Sequence, residues 1–259
     1  MSALALALTA RQVRYTNRAF WRNPASAFFT FVFPLMFLVI FTTLLGNGTV
    51  PIAPGATVAR STYYVAAMGA FAVITACYTN IAVSMTFQRD AGILKRVRGT
   101  PLPAWIYLAG RVLHAMLIAV VLVAITAAFG RVVYGAGIPT GSDLLRSLAV
   151  LGVGAAAFAA LGLAITSVIP NADASPAVVN ASILPLLFLS GVFIPITRSS
   201  PAWIQDIARI FPVKHFFDAF LGAFFGAPTF AWHDVVVVAT WGLAGLVLAA
   251  RYFSWEPRR

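Results

Sequence analysis

The chain has 259 residues, of which 61% are hydrophobic and only 10% are charged, whereas a soluble domain carries about 25% charged residues. The formal net charge of +11 comes from cations dispersed along the chain, which argues against the single basic face of a nucleic-acid-binding protein. With one cysteine, Cys77, the chain has no intramolecular disulfide and no thiolate metal cluster. The composition indicates an integral membrane protein.

Residues 1–24 are predicted to form an interfacial connecting helix. Four arginines, spaced three, four and four residues apart, fall along one helical face, and they are Arg11, Arg14, Arg18 and Arg22. Such a face holds a helix against anionic headgroups. An apolar run precedes the first arginine, the reverse of the order in a secretory signal peptide, so no signal peptide is predicted. The arginines serve either membrane anchoring or contact with a partner protein.

Six long intervals lack Asp, Glu, Lys and Arg, and each is close to the roughly 20 apolar residues that cross a bilayer core as a helix. The predicted spans are residues 25–45, 62–87, 107–129, 145–168, 176–194 and 235–253. Twelve of the 18 Lys and Arg residues then fall on the side that holds both termini, which predicts cytoplasmic termini. The predicted fold class is an all-α membrane protein with a single transmembrane domain over residues 1–259.

A charged island, residues 88–104, lies between the second and third spans. It holds five of the chain's 25 charged residues, namely Arg89, Asp90, Lys95, Arg96 and Arg98. Because Gly92 can cap a helix and Gly99 can end one, residues 93–98 are predicted to form a short amphipathic helix. Residues 100–103, Thr-Pro-Leu-Pro, then lead rigidly into span three. The island is either a docking site for a soluble protein or a determinant of topology alone.

Polar side chains in spans two and five are candidates for a substrate path. The three selected are Tyr78, Asn80 and Asn180. Polar groups in lipid prefer the protein interior, and helix packing explains isolated Ser and Thr residues equally well.

Residues 195–234 are too polar to span a membrane and too rich in phenylalanine for open water. Irregular backbone at membrane depth must be covered by protein or must line a cavity. Two short helices that re-enter the outer leaflet are therefore predicted, as an outer gate or as a cap on the bundle.

The chain is not predicted to be an enzyme. It has no Gly-x-x-x-x-Gly-Lys-Ser/Thr phosphate loop and no Gly-x-Ser-x-Gly elbow. The three histidines, His114, His215 and His233, match no metal-site spacing, so no metal and no cofactor are predicted in this chain. The span centres also lack the ionisable residues of ion-coupled carriers. Any active transport must therefore take its free energy from elsewhere.

Two stretches together resemble the ABC-2 type transporter permeases, the membrane subunits of ABC exporters. In that family an acidic residue and a glycine precede a basic run and Thr-Pro-Leu, as Asp90, Gly92 and residues 95–102 do here. The second stretch is residues 189–195, Leu-Ser-Gly-Val-Phe-Ile-Pro, followed by 201–205 and 211–212. Two departures are Gln88, where many members carry Glu, and Ser200, where an apolar residue is common. The similarity covers essentially the whole chain.

The resemblance implies that two separate ATPase subunits, which bind ATP and Mg, dock on a coupling helix in residues 88–104. The residues implied in coupling are Gln88, Arg89, Asp90, Gly92, Lys95, Arg96, Arg98, Thr100 and Pro101. It also implies pairing with a second copy or a paralogue, and export of an amphipathic drug-like molecule, lipid or glycolipid across a bacterial cytoplasmic membrane. A secondary carrier or channel is one alternative, and a membrane scaffold without a transport path is another.

Overall fold

The structure is a computed structural model that describes residues 3–46, 48–53, 56–196 and 200–257. In chain order its elements are α1 (Ala3–Trp21), α2 (Pro24–Leu45), β1 (Thr49–Ala53), β2 (Ala56–Ala59), α3 (Arg60–Ile74), α4 (Asn80–Asp90), α5 (Ile93–Arg98), α6 (Ala104–Tyr134), α7 (Gly141–Ile165), α8 (Ser175–Leu189), α9 (Ala202–Ala208), α10 (Pro212–Phe224) and α11 (Trp232–Tyr252). A π-helical turn, Thr75–Thr79, joins α3 to α4. Residues 197–199 of the predicted outer segment lie outside the described residues, as do the C-terminal arginines 258 and 259.

Five helices among the described residues are long and apolar enough to cross a membrane, which makes the chain a multi-pass membrane protein. They are α2, the continuous helix α3–α4, α6, α7 and α11. The predicted fifth span, 176–194, is represented by α8, an apolar helix of only 15 residues. The chain leaves this helix near Gly191, whose φ of 94° lies in the left-handed region. The count of six spans therefore stays a prediction.

Two strands interrupt the otherwise helical fold. The strands β1 and β2 pair antiparallel, with Thr49 opposite Ala59 and Val50 opposite Val58. The all-α prediction omitted this hairpin, although the β-branched residues at these positions favour strands. The hairpin and the charged island lie at opposite ends of the 31-residue helix α3–α4. We call these two ends of the bundle the hairpin end and the island end.

Both described termini lie at the island end. Helix α1 packs against α6, where a Cβ added to Gly110 would lie 2.5 Å from Cβ of Gln12. At the other terminus, the ring of Trp255 lies 6.3 Å from the ring of Tyr107, near the start of α6. The two termini and the charged island therefore share one end of the bundle.

The continuous helix α3–α4 forms the centre of the bundle. In its most apolar 18-residue stretch, 83% of the residues are buried, whereas the corresponding share for α2, on the periphery, is 17%. At the hairpin end, the Tyr63 hydroxyl donates a 2.6 Å hydrogen bond to the carbonyl of Gly191, and the Tyr64 hydroxyl donates one of 3.3 Å to the carbonyl of Phe193. These bonds fix the chain that follows α8 against the central helix.

The predicted outer segment forms two short helices, α9 and α10. The apolar face of α10 packs on α7 and α3 through a buried phenylalanine row, and the row consists of Phe216, Phe217, Phe220 and Phe224. Phe216 fits against Gly154, where no side chain stands in its way. The segment is thus fastened to the bundle, and its re-entry into the outer leaflet stays a prediction.

Glycine allows α7 to approach the π-helical turn closely. A Cβ added to Gly162 would lie 2.7 Å from the carbonyl oxygen of Tyr78 and 3.0 Å from that of Cys77. Both atoms belong to the backbone, so neither can move aside as a side chain would. Gly152 lies ten residues earlier on the same helix. A Cβ added to it would have no described atom within 4 Å.

We expect Gly162→Ala to destabilise the protein relative to Gly152→Ala by about 1–3 kcal/mol, the typical cost of overpacking. Both changes gain the same helix propensity, so their difference isolates the contact with the π-helical turn. The midpoint of thermal unfolding in detergent measures it. Equal midpoints for the two variants would show that α7 does not need its close approach to this turn.

Candidate coupling site

The island end is organised by Arg89, at the C-terminus of α4. Its side chain is only 2% exposed. The guanidinium donates hydrogen bonds to the backbone carbonyls of Thr166 at 3.1 Å, Ile169 at 3.0 Å and Pro170 at 3.1 Å. These carbonyls follow the end of α7, where the last carbonyls of a helix have no intrahelical partner and a cation is favourable. Arg89 therefore ties α4 to the end of α7.

Asp90 completes this connection from the other side. One of its carboxylate oxygens accepts a 3.0 Å bond from Nε of Arg89, and the other accepts a 2.6 Å bond from the backbone N–H of Ala172. The end of α4 is thus joined by side chains to most of the loop between α7 and α8. Since the polar groups of Arg89 face their own bundle, the structure gives this residue a positioning role within the predicted coupling segment.

Helix α5 occupies the residues for which the short helix is predicted. Gly92 precedes it with a φ of 70°, which lies in the left-handed region that glycine adopts readily. Leu94 is fully buried and holds the helix to the bundle, whereas Ile93 is 42% exposed, which narrows the predicted apolar face. The cations of this helix are Lys95, Arg96 and Arg98, and all three are exposed.

The residues after α5 connect it to α6. The Thr100 hydroxyl donates a 2.7 Å bond to the carbonyl of Val97 and so closes the end of the helix. Pro101 is exposed, and Pro103 precedes the first residue of α6. Proline restricts the backbone on both sides of itself, so α5 and α6 are joined by a stiff segment. Gln88 is half-buried and accepts a hydrogen bond from the Tyr107 hydroxyl of α6.

Three arginines of α1 and Arg22, which directly follows it, add to the positive charge at this end. Arg11, Arg14, Arg18 and Arg22 are all exposed, while Ala5 and Thr9 on the other face are buried. Among the described residues, no ion pair involves any of these four arginines or the cations of α5. The island end therefore presents two cationic helices, one of which sits on the base that Arg89 and Asp90 form.

The predicted substrate-path residues do not come together. The hydroxyl of Tyr78, in the π-helical turn, forms a hydrogen bond with the hydroxyl of Ser182 in α8, and the two oxygens are 2.7 Å apart. Both residues line an apolar cavity of about 690 Å³ between α7, α8 and α11. Asn80 lines a second cavity, of about 530 Å³, at the island end. Asn180 is exposed on α8 and lines neither of these two cavities.

His114 of α6 is a buried histidine at the island end of the bundle. The side chain is buried, and its Nε2 has no partner among the described residues. The same holds for Nε of Arg111, one helical turn earlier. Both side chains line the 530 Å³ cavity. No spacing rule marks such a pair, because what distinguishes it is the lack of partners in the folded protein.

The hairpin end contains a polar cluster that the sequence did not predict. His215 of α10 lies with its Nδ1 2.6 Å from a carboxylate oxygen of Asp234 and its Nε2 2.8 Å from the carbonyl of Arg209. Nδ1 of His233 lies 3.6 Å from the same carboxylate oxygen. His215, His233 and Asp234 offer ligand atoms within 4.8 Å of one another, so they could hold a metal ion. The two histidines come from different helices, so sequence spacing could not show the cluster.

Comparison with known proteins identifies the family. The model of the ABC-2 type transporter family matches residues 4–225. A protein named as a transport permease, YvfS of Bacillus subtilis (strain 168), is 24% identical over 232 residues, which cover 88% of this chain and 89% of that protein.

Two further relatives match shorter parts of the chain. A protein named as a multidrug ABC transporter permease, YbhR of Escherichia coli (strain K12), is 25% identical over 137 residues, 53% of this chain and 36% of that protein. Nodulation protein J of Rhizobium leguminosarum bv. viciae is 34% identical over 85 residues, 33% of this chain and 32% of that protein. Since the family model matches most of the chain, the protein belongs to the ABC-2 type transporter family and is a membrane component of a transporter.

Proposed function

We propose that this chain is the permease subunit of an ATP-driven exporter. It pairs with a second copy or a paralogue, and two separate ATPase subunits, with their bound ATP and Mg, dock at the island end. Both termini and the island lie in the cytoplasm of a bacterium, and the spans cross its cytoplasmic membrane. The cargo is an amphipathic drug-like molecule, a lipid or a glycolipid that moves outward.

The observation that supports this proposal most strongly is the way in which α5 is attached to the bundle. An exposed helix with three cations stands on a base in which Arg89 binds three backbone carbonyls and Asp90 binds a backbone N–H. A soluble partner that pushes on α5 therefore moves α4 and the end of α7 together. The Thr-Pro-Leu-Pro segment carries the same displacement into α6. A determinant of topology alone would need the charges but not this base.

The apolar cavity beside α8 and α11 supports the proposed cargo class. Its volume of about 690 Å³ is within the 300–1,000 Å³ that is typical of small-molecule sites. Phe158, Leu186 and Trp241 contribute apolar surface, and the bonded pair of Tyr78 and Ser182 contributes a polar edge. Such a lining suits a molecule with one apolar and one polar part. The name of YbhR, a multidrug ABC transporter permease, favours the same cargo class.

Transport in inverted membrane vesicles tests the proposal. The vesicles contain this chain and the proposed ATPase subunit, and the amphipathic dye rhodamine 6G and a fluorescent phospholipid serve as cargo probes. We expect accumulation that requires ATP and persists when a protonophore removes the proton gradient. Accumulation that needs the gradient and not ATP would indicate a secondary carrier. Failure of the chain to raise ATPase activity, with no accumulation of either probe, would indicate a scaffold.

A further inference from the structure

The cavity at the island end has a mixed lining of apolar side chains and uncharged polar side chains, together with the cation Arg111. It lies between α1, the start of α2, α4 and α6, and its volume is about 530 Å³. Its polar lining includes Asn23, Asn80, Gln88, Tyr107, Arg111 and His114. No Asp or Glu is among the described residues that line it. The cavity therefore contains a permanent positive charge without a carboxylate to neutralise it.

The charge belongs to Arg111, whose guanidinium has no hydrogen-bond acceptor among the described residues. Its Nε is buried, and its Cζ lies 5.9 Å from the centroid of the Tyr107 ring. Nε2 of His114, one turn further along the same face of α6, is also buried without a partner. Buried polar groups in folded proteins are nearly always paired, and buried charges especially so. Nε of Arg111 is always a donor, and Nε2 of His114 is a donor in one of its two neutral tautomers, so the pair suits a ligand with acceptor atoms.

Two of the amides that line the cavity, Gln88 and Asn23, have an oxygen that already accepts a hydrogen bond. The Oε1 atom of Gln88 accepts from the Tyr107 hydroxyl, which leaves its Nε2 to donate. The Oδ1 atom of Asn23 accepts a 3.2 Å bond from the backbone N–H of Ser26, which leaves its Nδ2 to donate. An oxyanion needs donors alone.

We propose that this cavity binds an anionic group, a phosphate or a carboxylate, through Arg111 and His114, with Gln88 and Asn23 as further donors. Arg111 lies seven residues from the first residue of α6, about 10 Å along a helix axis. The cavity therefore lies near the island end of α6. The anion is carried by the headgroup of a lipid or an amphipathic molecule, or else it is a free inorganic ion.

Occupancy of the cavity is connected to the coupling segment. Gln88 and Ile93 line the cavity, and Gln88 is in the last turn of α4 while Ile93 is the first residue of α5. An anion bound by Arg111 would therefore contact the segment that positions α5. This link to α5 rests on the proposed function, whereas the binding of the anion does not.

Native mass spectrometry of the purified permease without any ATPase tests the binding. The probes are phosphatidylglycerol, diacylglycerol with the same acyl chains, and inorganic phosphate. We expect phosphatidylglycerol to bind and diacylglycerol not to, and we expect Arg111→Gln to weaken phosphatidylglycerol at least about tenfold, the value of one charge-assisted hydrogen bond. Arg251→Gln removes an exposed cation outside the cavity and is expected to have little effect.

The remaining outcomes separate the source of the anion and the failure of the proposal. If inorganic phosphate displaces phosphatidylglycerol, a free anion can occupy the site, and if it does not, the lipid headgroup is required. Should Arg111→Gln not purify as a monodisperse protein, His114→Gln and Arg111→Lys carry the same test. The proposal is overturned if His114→Gln and the Arg111 variant that purifies both bind phosphatidylglycerol as tightly as the wild type does. It is also overturned if diacylglycerol binds as tightly as phosphatidylglycerol. A failure here leaves ATPase capture and transport unaffected, so it is distinguishable from failure of the exporter function.

Discussion

Arg89→Met is expected to lower the free energy of unfolding by about 3 kcal/mol, because removing one member of a buried ion pair leaves the other without its counter-charge. The change also removes the donors that satisfy the carbonyls of Thr166, Ile169 and Pro170. We take the lower end of the usual range because Asp90 is 23% exposed. Thermal unfolding in detergent measures the loss.

The matched control is Arg96→Met, the same substitution seven residues later on an exposed side chain. Changes at such surface positions are usually within about 0.5 kcal/mol of neutral. If Arg89→Met unfolds at the same temperature as Arg96→Met, Arg89 does not hold α4 to the end of α7. The attachment of α5 to the bundle would then need another explanation.

Removal of the positive charges of α5 is expected to weaken binding of the ATPase subunit without lowering stability. In the triple variant Lys95→Gln, Arg96→Gln and Arg98→Gln, the exposed cations disappear while Leu94 keeps the helix on the bundle. We expect its thermal midpoint to stay close to that of the wild type, whereas its affinity for the ATPase subunit falls at least about tenfold, since charges across an interface steer and orient a partner. Co-purification and a binding isotherm with the ATPase subunit measure the fall.

A variant with the same change of charge on α1 is the control. Arg11→Gln, Arg14→Gln and Arg18→Gln also remove three exposed cations at the island end. If the α1 variant loses the ATPase as strongly as the α5 variant, the partner responds to net charge and not to α5. If neither variant loses it, the docking surface lies elsewhere.

Much of the architecture could be predicted because the membrane constrains composition so strongly. Uncharged intervals marked the long helices, and Gly92 and Gly99 marked the limits of α5. These signals are local, so they survive without knowledge of packing. The length of α8 was not predictable in this way, since its end depends on the turn at Gly191 and on the bonds from Tyr63 and Tyr64.

The role of Arg89 could not be read from the chain because its partners lie about 80 residues away. In the sequence it is one of several charges in the island and looks as exposed as Arg96. Only the fold brings the end of α7 to its guanidinium. The same reason explains why Tyr78 and Asn80, two residues apart, line different cavities. They leave a helix in different directions.

A site-specific cross-link tests most directly whether α5 is the docking point of the ATPase. The only cysteine, Cys77, is buried, so Arg96→Cys presents a single accessible thiol for a photoactivatable maleimide. The control is Thr57→Cys, an exposed position at the hairpin end. We expect ultraviolet light to join the ATPase subunit to position 96 and not to position 57. Cross-linking at position 57, or none at position 96 in a complex that still co-purifies, would contradict it.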